Sequence, residues 1–270
     1  MSQRDAADDP AEDDEGEETP RMAMLCLPTE GGGLDLDAIA AAYRERYPDA
    51  EPLALEGAEG AALGTLGEDR VVLTHVGAAI PWTDLEGPCS TAWYWEEAAE
   101  VVRAHRGHLI CALLAGAPDG EVERTLRLTR LVAAAVAAGE ASAVFWCEAP
   151  LVQARDAFLE MTEHLSREEF PLELWVELRP LVDPDTGNSS VLTSGMSALG
   201  LMELEVRESK KTDSTEVLDI VYGIARHLID SGMVIGDGDT LDFGDVKIRA
   251  RYDASAWPGR EGPVLVLEVP

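Results

Sequence analysis

Lysine is almost missing from this chain: Lys210, Lys211 and Lys247 are the only three, and the rest of its 21 Lys and Arg residues are arginine. Against 52 acidic residues they leave a net charge of -31 at pH 7. Such a surface repels phosphate, which argues against nucleic acid and anionic membranes as partners and favours a basic protein. A salt-adapted surface explains the same acidity without any partner. No C-x-x-C pair occurs among Cys26, Cys89, Cys111 and Cys147, so zinc-ribbon and thioredoxin chemistry is excluded on spacing. Cys26, Cys111 and Cys147 lie in apolar, strand-like runs, where a buried free thiol and a reducing compartment are expected. No basic segment followed by an apolar one opens the chain. The longest apolar run, Leu131 to Ala138, is far short of a membrane span. The expectation is a soluble, cytoplasmic protein without a cofactor.

Residues 1–20 carry acid at nearly every other position and no large apolar side chain after Met1. They cannot offset the entropy of ordering, so a disordered acidic tail is expected. From 21 to 182 the periodicity predicts an α/β part. Met22–Leu27 reads as a strand, and Asp35 caps a helix carrying Ile39, Tyr43 and Tyr47. The intervening Thr29–Gly33 turn lacks both Gly-Lys-Ser/Thr and G-x-G-x-x-G, and its acids would repel phosphate; it reads as a flexible connector. Ala61–Leu66 and Arg70–Val76 read as a hairpin. Ser90 or Thr91 then caps a helix bearing Trp93, Trp95, Ala99 and Val102 and ending at Gly107. His108–Ala115 is a central strand, 120–138 a buried helix, and Ser142–Cys147 a second buried strand. Pro150 opens a helix through Phe158, Met161 and Leu165, and Leu172–Leu178 alternates as a strand. The fold class expected for this part is α/β, a helix-covered mixed sheet.

The turn-rich Asp183–Asn188 is the candidate hinge to a smaller α+β part, 189–270. There, Asp213 and Glu216 form a capping box before the stripe Val217, Ile220, Val221, Ile224 and Leu228. Gly232 closes that helix. Asp237–Thr240 is a tight turn, with strands near Val246–Tyr252 and Val264–Val269. The stretch Thr193 to Val206 organises the whole: a strand broken at Gly195 and Gly200, then resumed with period two.

Thr193-x-Gly195-Met-x-x-Leu-Gly200-Leu-Met-Glu203-Leu-Glu205, the amphipathic helix, and Gly236-Asp-Gly-Asp-Thr240 together resemble a bacterial domain-of-unknown-function family, number four-two-six-one. The resemblance covers about Val191 to the end. Upstream, Ile80-Pro-Trp82, the tryptophan-rich helix and His105/His108 are similar to the region that often precedes that domain. What it implies is a compact α/β bacterial protein; it carries no catalytic residues to transfer.

Several residues could carry chemistry. Glu203 and Glu205 project from one strand face and, with Asp237, Asp239 or Asp242, could share a cation; solvated strand and turn acids are the plainer account. His75, His105 and His108 could converge with Glu96 or Glu97, although no His-Glu-x-x-His helix exists. Gly195-Met-Ser197-Ala-Leu199 falls short of a nucleophile elbow at its last position. Trp82, Trp93 and Trp95 could line a pocket or an interaction patch, or anchor core and loops. The leading expectation is a non-enzymatic, acidic protein-binding module, immunity-like or adaptor, with Trp82, Trp93, Trp95, His105, His108, Gly195, Glu203 and Glu205 as its site. The alternative is a hydrolase or metal-dependent enzyme near His105, His108, Glu203 and Glu205.

Overall fold

The structure, a computed structural model, describes residues 20–31, 34–58, 60–114, 120–209 and 214–269. Residues 1–19 of the acidic tail, Gly32 and Gly33 of the connector, and Asp213 of the capping box lie outside them. In chain order the elements are β1 (Arg21–Leu27), α1 (Leu36–Arg46), β2 (Leu53–Ala58), β3 (Ala61–Leu66), β4 (Asp69–Val76), α2 (Trp82–Thr91), α3 (Ala98–Arg103), β5 (Gly107–Leu114) and α4 (Glu121–Ala138). There follow β6 (Ala143–Trp146), β7 (Leu151–Ala154), α5 (Arg155–Met161), α6 (Leu172–Trp175), β8 (Glu177–Val182), β9 (Ser189–Ser194) and a 3-10 turn at Ser197–Leu199. The chain then runs through β10 (Leu204–Ser209), α7 (Ser214–Ser231), β11 (Thr240–Phe243), β12 (Val246–Ala254) and β13 (Pro263–Glu268).

The protein is α/β, with two sheets. The first has seven strands in the order β2-β3-β4-β5-β1-β6-β7, and all its pairings are antiparallel. The mixed pairing expected of the N-terminal part is found instead in the second sheet, β11-β12-β13-β10-β9-β8, where β10 and β13 run parallel. Period two divides the first sheet cleanly. Ala23, Leu25, Leu109, Val144 and Trp146 face α1 and α4, whereas Cys26, Ala143 and Phe145 face Leu85, Cys89, Ala98 and Val102 of α2 and α3. The cluster on the α4 side is continuous with the core of the second sheet, through Trp175, the α7 stripe and Val191, Leu204, Ile248 and Leu265. All five residues of that predicted stripe are buried.

Four local expectations are corrected. Ser90 and Thr91 end α2 rather than capping a helix, and Trp93–Trp95 occupy the turn before α3. Residues 151–154 are a strand, β7, before the helix expected from Pro150 begins. Leu172–Trp175 is one helical turn, because Leu172, Leu174 and Trp175 are all buried and a strand would turn one of them outward. Asp183–Asn188 is a hairpin turn, closed by Asp183 Oδ1 accepting from the Asp185 and Thr186 amides at 2.8 and 2.9 Å. It joins β8 to β9 within one sheet, so it is not a hinge. Among the described residues no helix is long and apolar enough to cross a membrane.

α4 is tied to the first sheet by buried charge. Asp69, fully buried at the start of β4, meets Arg127 Nη1 at 3.1 Å and Arg124 Nε at 3.5 Å, and Arg127 also reaches Glu51 at 3.1 Å. Leaving either arginine without its acid would strand a buried charge.

Candidate functional site

The eight predicted site residues fall into two separate places. Trp82, Trp93, Trp95, His105 and His108 belong to the α2–α3 layer and the strand beneath it; Gly195, Glu203 and Glu205 lie in the second sheet.

In the first place the histidines fasten a loop. His105 accepts the Ile80 amide on Nε2 at 2.8 Å, and its Nδ1 donates to the Val102 carbonyl. His108 Nδ1 donates to the Ala78 carbonyl at 2.7 Å. Both rings therefore clasp the segment that launches α2, and both are buried. His75 does not join them. It pairs with Leu109 in the β4–β5 register, whereas His108 pairs with Val76, so the two imidazoles point to opposite sheet faces. Trp82 and Trp95 pack on the α2–α3 cluster, and the Arg103 guanidinium lies 3.8 Å from the centre of the Trp82 ring. Trp93 is different: it is 71% exposed and meets Tyr94 edge-on, centroids 5.8 Å apart. Tyr94 is fixed from below by its hydroxyl, which donates to the Val152 carbonyl at 2.9 Å. In the same α2–α3 segment, Asp84, Glu86, Glu96, Glu97 and Glu100 are all exposed.

In the second place the glycine-broken stretch is an arch closed by one carboxylate. Glu203 Oε1 accepts from the Gly195 amide at 2.9 Å, the Ser197 amide at 3.1 Å and the Ser197 hydroxyl at 3.0 Å. Its Oε2 accepts from Thr193 Oγ1 at 2.7 Å, and Thr193 Oγ1 in turn accepts the Leu204 amide at 2.8 Å. The spacing Thr193, Gly195, Ser197, Glu203 is thus the sequence trace of a hydrogen-bonded loop. Gly195 and Gly200 both carry positive φ, +114° and +75°.

Glu205 is held elsewhere. It accepts from Arg207 Nε and the Ala256 amide, each at 3.1 Å, and from the Ser255 hydroxyl. The expectation that these two acids are solvated is corrected. Glu203 is 8% and Glu205 2% exposed, because the arch closes on the first and the loop after β12 folds over the second. The turn acids also have local work: Asp237 and Asp239 accept the Tyr252 and Gly236 amides. Among the described residues no group of three or more His, Cys, Asp or Glu is placed to hold a metal ion. Ser197 spends its hydroxyl proton on Glu203, and His227 is exposed on α7.

Sequence reasoning missed a cleft beside the arch. It has a volume of about 500 Å3 and takes Glu148 from the β6–β7 turn, Ser194 and Ser197 from the arch, and Arg260 from the loop before β13. Glu148 Oε1 accepts the Met22 amide at 2.5 Å, while Oε2 is buried without a partner. Burial pushes this carboxyl up from its ordinary range, although the Met22 amide and Arg21 pull the other way. Nothing in Cys147-Glu148-Ala149 signals this; only the meeting of two sheets makes the site.

The cysteines are free, and burial raises each thiol: Cys26, Cys111 and Cys147 to about 12 and Cys89 to about 11. Burial thus disfavours the nucleophilic thiolate at each of them.

The fold and site thus define a two-sheet α/β protein whose second sheet is built around a carboxylate-closed arch. Residues 192–268, the arch and nearly all that follows it, match the model of a family described as a domain of unknown function (DUF4261). That is the C-terminal part in which the residue pattern resembles this family. No curated protein and no solved structure gives a match to the chain.

Proposed function

We propose that the protein is a non-enzymatic binding module, immunity-like or adaptor, whose partner is a basic protein. One observation carries this reading: the Trp93–Tyr94 pair stands in water in the α2–α3 segment, whose residues 84–100 also expose five carboxylates. A large aromatic anchor with a charged rim is the composition that interfaces favour, and a rim of one sign selects a partner of the other. The net charge of -31 supports the same partner class by steering it from a distance. The hydrolase alternative draws on His105, His108, Glu203 and Glu205, and all four carry structural hydrogen bonds.

The test is affinity capture from the source cell with three baits: the parent, Trp93→Ala, and Glu96→Lys with Glu97→Lys. A basic protein retained by the parent, lost by both variants, and released as salt rises past about 0.15 M is expected. Equal retention on all three baits would refute the reading.

A further inference from the structure

We infer that the cleft between the two sheets binds a small molecule of the α-amino acid class, its carboxylate on Arg260 and its ammonium on Glu148. The cleft is lined by one arginine and three glutamates; Glu203 is taken up by the arch and Glu261 is exposed, whereas Arg260 and Glu148 are each half used. Arg260 Nη2 donates to the Thr193 carbonyl at 2.6 Å and to Ser194 Oγ at 2.8 Å, which fixes the guanidinium in place; Nη1 is buried and has no partner. Glu148 is fixed through Oε1 in the same way, with Oε2 left over. No ion pair joins the two residues, although both line the cleft. An unpaired buried N–H or carboxyl oxygen is costly, and a ligand bearing both complementary charges removes both costs at once. Glu148 is pushed toward its neutral form by burial, so an ammonium arriving beside it would restore the carboxylate.

The rest of the lining sets the side-chain preference. Leu201, Met202, Pro263 and Val264 form the cleft's apolar wall, which suits an aliphatic side chain. The anchoring groups come from both sheets: Glu148 from the turn after β6, and Arg260 from the loop that precedes β13. Occupancy of the cleft would therefore bind the two sheets together.

Isothermal titration of the full chain with L-leucine tests this, alongside 4-methylpentanoate, which lacks the amine, and isoamylamine, which lacks the acid. Leucine is expected to bind with a Kd at or below about 1 mM, and each truncated probe at least about tenfold more weakly, the loss of one charge-assisted hydrogen bond. Arg260→Gln should cost leucine and 4-methylpentanoate about tenfold but leave isoamylamine unchanged; Glu148→Gln should cost leucine and isoamylamine about tenfold but leave 4-methylpentanoate unchanged. Glu148→Gln keeps an oxygen for the Met22 amide, so it guards against a variant that merely unfolds. The peptide Leu-Gly-Gly separates a free amino acid from a chain terminus, because only the free acid carries both charges on one carbon. Absence of leucine binding at about 10 mM overturns the inference, as does equal affinity in the parent and both variants, or a preference for the peptide.

Discussion

At Gly195 an added Cβ would lie 2.2 Å from the Trp175 carbonyl oxygen and 2.8 Å from the Ala149 Cβ, and its φ of +114° disfavours any L side chain. Gly195→Ala is therefore expected to cost at least about 1–3 kcal/mol, read as a lower urea midpoint. Glu203→Ala removes an acceptor from four donors and should cost about 2 kcal/mol or more, whereas Glu203→Gln, which keeps one carbonyl oxygen, should cost less. Glu148 behaves oppositely. Its carboxyl is raised in the fold, so the stability it contributes is present below the unfolded value and is lost as pH rises through the folded one. Glu148→Gln should thus be more stable than the parent at pH 8, with the gap closing toward pH 4 in denaturant titrations. Asp253 has the other sign: hydrogen bonds from Arg251 and then Arg207 lower it to about 2, so what it contributes is lost only as pH falls through that value.

Among the elements, α4 is joined to β4 by one fully buried acid. Asp69→Asn leaves Arg124 with Glu121 and Arg127 with Glu51 as their remaining acids, and a loss of about 1.5–3 kcal/mol is expected by thermal or urea unfolding. The elements with strong periodicity, α4, β5, β6, α7, β12 and β13, were legible from their residues because one face or both are buried. β2 was not: Leu53–Ala58 is an edge strand with four of its six residues exposed, so its alternation is faint. α2 hid behind Gly87-Pro88, a pair that ordinarily ends helices, yet Pro88 sits inside this one. The arch was half legible. Its glycines and the return to a strand showed in the sequence, but the burial of Glu205 depends on a loop some fifty residues on, which begins at Ser255. Glu148 and Arg260 had no local signal at all, since each gains meaning only from the other sheet.

For the whole molecule, the continuous core beneath both sheets predicts one cooperative unfolding transition in calorimetry, not two. A fragment cut at 189 would lose β8 and the Trp175 packing, and it should fail to fold alone. The charge of -31 adds a salt effect: repulsion within the folded state is screened by added ions, so the melting temperature should rise between about 0.02 and 0.5 M sodium chloride. A different consequence comes from the place of β1, which lies between β5 and β6 and hydrogen-bonds to both. The earliest of the described strands in chain order is thus the keel of its sheet. It must wait for Gly107–Leu114 on one flank and Ala143–Trp146 on the other before its backbone is satisfied. Such distant pairing makes for slow folding and leaves an apolar strand uncovered during synthesis.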